Sequence, residues 1–271
     1  MKNELWKIVG GEGPLVATAL HSGHELREEV ALLMNLSDED RTRDEDPHTD
    51  KWTVIGDTRI VPKRSRFEVD LNRPRDEAVY VRPEDAWGLK VWKDGPSKDF
   101  IARSLSEHDL FYQEVHSLFT DISKRFGAFV VFDLHSYNHR HSGPKKPPND
   151  PSKNPEVNIG TGSMNREYWA TLVDQFMIDL RSFRFLDRHL DVRENVKFKG
   201  RELARWTHEN FPKTGCVLAI ECKKFFMDEW TNEVFPEPFH AIEQALQACV
   251  PGVRRELDQV ARSSKGGAFK P

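Results

Sequence analysis

Short apolar runs that stop abruptly in polar clusters set the pattern of this chain. Residues 14–20, PLVATAL, give way to HSGHE at 21–25, as a buried strand delivering a polar loop does. Leu26, Val30, Leu33 and Met34 then fall at helical spacing, and Ser37 followed by acidic residues opens a second helix. WTVIG at 52–56 and RIVP at 59–62 read as short strands around a Gly-Asp turn. Residues 65–74 alternate through Phe67, Val69 and Leu71, as a strand running into an Asn-Arg loop. WGLKVW at 87–92 reads as a packed strand, core or pocket wall. The region 105–126 carries an amphipathic helix stopped by Gly127, and AFVVFDL at 128–134 is the next buried strand, ending at His135. Residues 138–163 are crowded with Pro, Asn, Lys and Gly and predict an irregular cover over a site. A helix over 166–183, a polar stretch to Arg205, the strand CVLAIEC at 216–222 and a helix near 239–260 complete the chain. Residues 263–271 read as a flexible tail, leaving 1–262 as a single domain.

Helices alternating with short buried strands predict an α/β domain whose ligand lies at the carboxyl ends of the strands. The 271 residues, 38% hydrophobic, suffice for one large core. With 31% charged residues and a net charge of only −4, no field draws the chain to nucleic acid or anionic lipid. Trp87 and Trp92 have no basic stripe beside them, as a base-stacking platform would. No apolar run is long enough for a bilayer, so the expectation is an unexported protein with no membrane partner. Three cysteines without paired spacing fit a reducing cytoplasm, with Cys216 and Cys222 as inert core on an apolar strand. Neither a phosphate-cradling glycine loop nor a nucleophile elbow is present.

The polar clusters supply the candidate chemistry. His21 and His135 each follow an apolar strand, which would bring two imidazoles to one rim of a sheet. Two imidazoles and a carboxylate are a common donor set for catalytic zinc. The competing reading is a pair of loop histidines bonded to backbone. Asp50, Glu25, Glu45 and Asp46 all remain open as the third donor. Glu221, at the end of an apolar strand, suits a general base, or else an edge carboxylate paired with Lys223 or Lys224. Asn72 and Arg73 set an amide beside a guanidinium fork, the chemistry that clamps a carboxylate, and Arg66 could point the same way.

In order, LHSGHELR (20–27), TDKW (49–52), SRFEVDLNRPRD (65–76), DLHSY (133–137), NIGTG (158–162), FKGRELAR (198–205) and AIECKKFFMDEW (219–230) resemble the N-formylglutamate amidohydrolase family over nearly the whole chain. The resemblance implies a zinc-carboxypeptidase-like α/β fold, a mixed sheet flanked by helices. It implies hydrolysis of a small N-formyl or N-acyl derivative of an acidic amino acid. It further implies zinc, one per chain, held by His21, Asp50 and His135, with Glu221 as general base, Arg66 at the oxyanion, and Asn72, Arg73 and Arg205 binding substrate. The chain departs from the family pattern at Leu20, where proline is usual, at Lys51, inserted before Trp52, and at Arg201 and Trp206, where glycine and histidine are usual. These departures bear on substrate identity. They also motivate two competitors: a non-catalytic binder of acidic metabolites or of a partner protein, and a related N-acylamino-acid hydrolase or peptidase. The oligomeric state is left open.

Overall fold

All nine residues of FVVFDLHSY are buried, as in a strand covered on both faces. This strand, β4 (Phe129–Tyr137), lies at the middle of a seven-stranded mixed sheet in the computed structural model, which describes residues 5–140 and 142–266. The other strands are β1 (Trp6–Val9), β2 (Leu15–Thr18), β3 (Thr58–Pro62), β5 (Val157–Gly160), β6 (Val192–Glu194) and β7 (Gly215–Lys223). Their spatial order is β1-β3-β2-β4-β7-β5-β6, with β1 antiparallel to β3, β5 antiparallel to β7, and the other neighbours parallel. The helices are α1 (Glu28–Leu33), α2 (Asp38–Asp44), α3 (Thr49–Trp52), α4 (Lys98–Phe126), α5 (Ala170–Ser182), α6 (Glu202–Asn210) and α7 (Pro236–Gly266).

The period of two along the central strands divides the core. Val130, Phe132 and Leu134 of β4, with Cys216, Leu218, Ile220 and Cys222 of β7, pack on the face covered by α5 and α7. Phe129, Val131 and Val217 pack on the opposite face against α4 and α6. That second face turns polar toward the carboxyl ends, where Asp133, His135 and Glu221 occupy the alternate positions. One strand thus keeps an apolar face through Leu134, before Ser136, while its other face becomes a site.

Local chemistry sets the long helix. Ser97 accepts the Phe100 amide hydrogen bond at its start, and Gly127, at φ 88°, ends it. Its buried stripe runs Phe100, Ser104, His108, Phe111, Tyr112, Val115, Phe119 and Ile122.

Several expected elements differ. Residues 52–56 are the end of α3 and a 3-10 turn rather than a strand, because Trp52 stacks on Phe239 at 5.3 Å and anchors the chain against α7. Residues 65–73 are buried without being a strand. Turns closed by Glu68 N–H to Ser65 C=O and Arg73 N–H to Asp70 C=O send Phe67 to one cluster and Val69 and Leu71 to another. Residues 87–92 are not a strand either, since Trp87 and Gly88 both take positive φ. The irregular segment ends at residue 156: β5 follows, its Val157 and Ile159 entering the core while Asn158 faces the other way. The polar stretch before 205 contains β6 and the first turn of α6. Helix α7 continues to Gly266, past the expected start of the tail at 263, as an unbroken helical backbone; the remainder of that tail, 267–271, lies outside the described residues.

Phe132 is fully buried at the sheet centre, facing Phe176 at 6.2 Å. Phe132→Ala is expected to cost about 3–5 kcal/mol of stability, read as a lowered urea midpoint with an unchanged slope.

Candidate metal centre

His21 follows β2 by three residues, and His135 lies near the end of β4. Parallel pairing of β2 with β4 brings these ends together, in a register that sets Thr18 beside Asp133. The two imidazole centroids are 4.7 Å apart. The third member is Asp46, whose backbone N–H donates to the His21 carbonyl at 2.9 Å. Asp46 Oδ2 lies 3.0 Å from His135 Nδ1 and 3.3 Å from His21 Nδ1. These three buried side chains offer ligand atoms all within 4.8 Å of one another.

The far nitrogens are held as well. His21 Nε2 meets Asp70 Oδ1 at 2.8 Å, and His135 Nε2 meets Asp133 Oδ2 at 3.0 Å. The Asn72 amide nitrogen also reaches His135 Nε2, at 3.1 Å. Asp133 is steadied by the Thr18 hydroxyl at 2.8 Å, and Asp70 by Arg66, by Tyr80 and by the backbone N–H of Asn72. A carboxylate lies behind each imidazole, hydrogen-bonded to His21 and within ion-pair distance of His135, the usual kind of support for a histidine metal ligand.

Electrostatics agree with that donor set. Burial opposes charge on Asp46, yet its hydrogen bonds to His135 and His21 hold it far below the usual carboxylate range. Burial likewise disfavours an imidazolium at His135, but Asp133 and Asp46 drive its pKa well upward. Positive charge is therefore favoured where the two Nδ1 atoms converge. Two imidazoles and one carboxylate, buried and backed by further carboxylates, fit a divalent cation of the zinc type.

Glu221 lies on β7 directly opposite His135 in the parallel register. It lines the same cavity of ≈ 400 Å³ as His21, Asp46 and His135. Removal from bulk water raises its carboxyl to about 7, with His135 opposing the rise. Arg66 also lines the cavity, its guanidinium fixed by Asp70 at 2.8 Å and Tyr80 at 3.2 Å and stacked 4.9 Å from the Trp87 ring.

Other expected site residues are placed differently. Asp50 is one helical turn beyond Asp46, beside Lys51 at 3.0 Å, and faces a separate hollow lined by Lys7, Arg59 and Val61. Asp46 takes its place because the backbone of that residue, not of Asp50, is tied to His21. Glu25 is exposed, and Glu45 is spent on His24, Ser65 and Arg41. Asn72 reaches the cavity with both amide ends engaged, its nitrogen on His135 and its oxygen on the Leu203 N–H at 3.0 Å. Arg73 is buried beneath Tyr80 and Trp87, 4.6 and 5.7 Å from their rings. Arg205 is half exposed and forks onto Glu202 and Glu209 of its own helix, outside the cavity lining, as spacings of three and four residues allow. Of the two late departures, Trp206 packs on Tyr112 at 5.0 Å in the apolar cluster, whereas Arg201 lines the cavity.

Sequence reasoning leaves Asp46 as one acid among four, passes over Asp70 and Asp133, and offers Lys224 only as a partner for Glu221. A signal for Asp133 was available, since it precedes His135 by two positions and so shares its face. The partners of Lys224 carry no such signal. Its ammonium is buried, donating to the carbonyls of Arg43 and Glu45, each at 2.6 Å, and so ties the end of β7 to the segment carrying Asp46.

The family model for N-formylglutamate amidohydrolase matches residues 13–226. Among solved structures, the chain is similar to an N-formylglutamate amidohydrolase from Ralstonia eutropha JMP134, with TM-score 0.70 at 17% identity, covering 97% of this chain and 99% of that one. It is also similar to a gene product from Agrobacterium tumefaciens, with TM-score 0.63, 17% identity and 97% of both chains covered. A comparison with curated proteins gave no match. With the family match spanning well over half of its length, the chain belongs to the N-formylglutamate amidohydrolase family, hydrolases of an amide bond.

Proposed function

We propose that the chain is a zinc-dependent amidohydrolase acting on an N-formyl or N-acyl derivative of an acidic amino acid, such as N-formylglutamate. The observation that carries this reading is the convergence of His21 Nδ1 and His135 Nδ1 on one Asp46 oxygen, with a carboxylate behind each ring. His21, Asp46 and His135 would hold the ion. A zinc ion there supplies Lewis-acid polarisation of the scissile carbonyl and acidifies water for the attack.

The chain's own groups do the rest. Glu221, across the register from His135, accepts the proton of the attacking water and returns it to the leaving nitrogen. Arg66, locked by Asp70 and Tyr80, offers a fixed positive charge to the oxygen that becomes anionic. Asp70 and Asp133 keep the imidazoles in place, and Asn72 positions His135 while receiving the first turn of α6. Arg73 serves as a positioning residue through its stack with Tyr80 and Trp87, rather than as half of a clamp. The cavity, at ≈ 400 Å³, is of the size that takes a small organic ligand. A cytoplasmic site of action belongs to the same reading, since the buried free thiols of Cys216, Cys222 and Cys249 fit a reducing compartment. No described helix is long and apolar enough to cross a membrane.

Metal analysis of protein purified without chelator tests the donor set. About one zinc per chain is expected, falling after Asp46→Asn by more than the roughly tenfold affinity loss typical of an outer-shell change. Asp50→Asn is expected to match the parent, and the reverse pattern would reinstate Asp50.

Glu221→Gln should lower kcat by about 10²–10⁴-fold while leaving zinc content intact. The general base works only when deprotonated, so kcat/KM should climb with pH and lose its value as pH falls through the Glu221 pKa. The midpoint should lie at or below about 7, because a neighbouring cation favours the carboxylate, and this limb should vanish in Glu221→Gln.

A further inference from the structure

Five cationic side chains line the cavity, and four of them are engaged within the protein. Arg66 is paired with Asp70, and Lys224 is spent on two carbonyls and the Asn138 side chain. Lys197 donates to Asn154 at 2.7 Å and lies over the Tyr137 ring, while Arg43 donates to the Arg140 carbonyl and stacks on Trp230. The fifth, Arg201, is an exposed residue whose guanidinium makes no hydrogen bond, ion pair or ring contact with the described residues. The two residues whose chemistry suggests a carboxylate clamp are placed otherwise: the Asn72 amide oxygen accepts from the Leu203 N–H and its nitrogen lies 3.1 Å from His135 Nε2, while Arg73 lines a separate hollow with Asp76, Glu77 and Asp85.

The backbone that presents Arg201 is built with care. Gly200 takes φ +88°, a left-handed conformation that a side chain would strain. A Cβ on Gly160 would come within 2.4 Å of the Gly200 nitrogen, so β5 and this segment touch backbone to backbone. Asn158 secures the same segment, donating to the Phe198 carbonyl at 2.8 Å and accepting from the Lys197 N–H at 2.8 Å. Asn158 is also the cross-strand partner of Glu221. The backbone leading into Arg201 is therefore tied to the strand beside Glu221 through a short chain of contacts, while its side chain keeps its hydrogen-bonding capacity for a ligand.

We propose that Arg201 is the specificity residue of this pocket, binding the side-chain carboxylate of the substrate, so that the pocket selects N-acyl dicarboxylic amino acids over their neutral counterparts. The guanidinium fork suits a carboxylate in two-point contact, and Arg201 lines the cavity from the N-cap of α6, an element that carries none of the His21, Asp46 and His135 cluster. The inference rests on the amidohydrolase reading above for the identity of the ligand, and it deepens that reading by naming what the pocket distinguishes.

The test pairs kinetics with binding in the zinc-loaded protein. For N-formylglutamate, Arg201→Ala should raise KM about tenfold or more with little change in kcat. For N-formylglutamine, which carries an amide in place of that carboxylate, KM should not move. Arg201→Lys, which keeps the charge and loses the fork, should fall between. Calorimetric titration with glutarate should show the same tenfold weakening in Arg201→Ala, and an unchanged thermal midpoint would verify the fold. Equal KM shifts for both substrates, no shift, or glutarate binding that is absent or identical in parent and variant would overturn the assignment. If neither substrate is turned over but glutarate binds through Arg201, the hydrolase reading falls and the recognition role stands. If both are turned over and Arg201→Ala is silent, the reverse holds.

Discussion

Three buried carboxylates and one half-buried one around two imidazoles are the constraint on which this structure depends. Asp46 lies between the two Nδ1 atoms, Asp70 and Asp133 hold the two Nε2 atoms, and Glu221 waits across the register. So many acids in one buried place are unfavourable unless cations answer them. Arg66 answers Asp70 directly, and the upward drive on His135 shows where further positive charge is favoured. A divalent cation at that point turns a costly arrangement into a matched one. Removal from bulk water, with a smaller push from Asp46 and Asp133, keeps Glu221 near the proton-transfer range instead of leaving it a fully ionised surface acid.

The sheet makes the arrangement possible by separating its two faces. The face under α5 and α7 is apolar as far as Leu134 of β4 and Cys222 of β7, and this packing holds the strands in place. The other face is free to change from Phe129 and Val131 to Asp133 and His135 within one strand. Because β4 and β7 are parallel, their polar ends meet at one rim, where the loops after β2 and before α3 also arrive. Lys224 and the backbone bond from Asp46 to His21 then pin those loops, so that side chains from distant parts of the sequence act as one group.

The departures from the family pattern separate into two kinds once their surroundings are known. Trp206 extends an aromatic cluster with Tyr112, Phe119 and Phe211 and belongs to packing. Arg201 belongs to the cavity. A substitution in the first class changes how α6 sits against α4; one in the second changes which ligand the cavity admits.

The alternation of apolar and polar residues along AFVVFDLHSY and CVLAIEC, and the abrupt polar stops after PLVATAL, were enough to place His21, His135 and Glu221 at strand ends, because strand periodicity and burial are local properties of a short segment. The family resemblance was equally legible, since it rests on residues in order along the chain. The third donor was not. Asp46 and Asp50 stand in one charged run, and only the bond from the Asp46 backbone to His21 and the turn into α3 decide which one faces the histidines. Nor could sequence tell which group faces the cavity unengaged: Asn72, Arg73, Arg205 and Arg201 all look able to hold a carboxylate until their neighbours are in place. A side chain's residue type states what it can bind, whereas its partners, contributed by remote segments, determine what it has left to bind with.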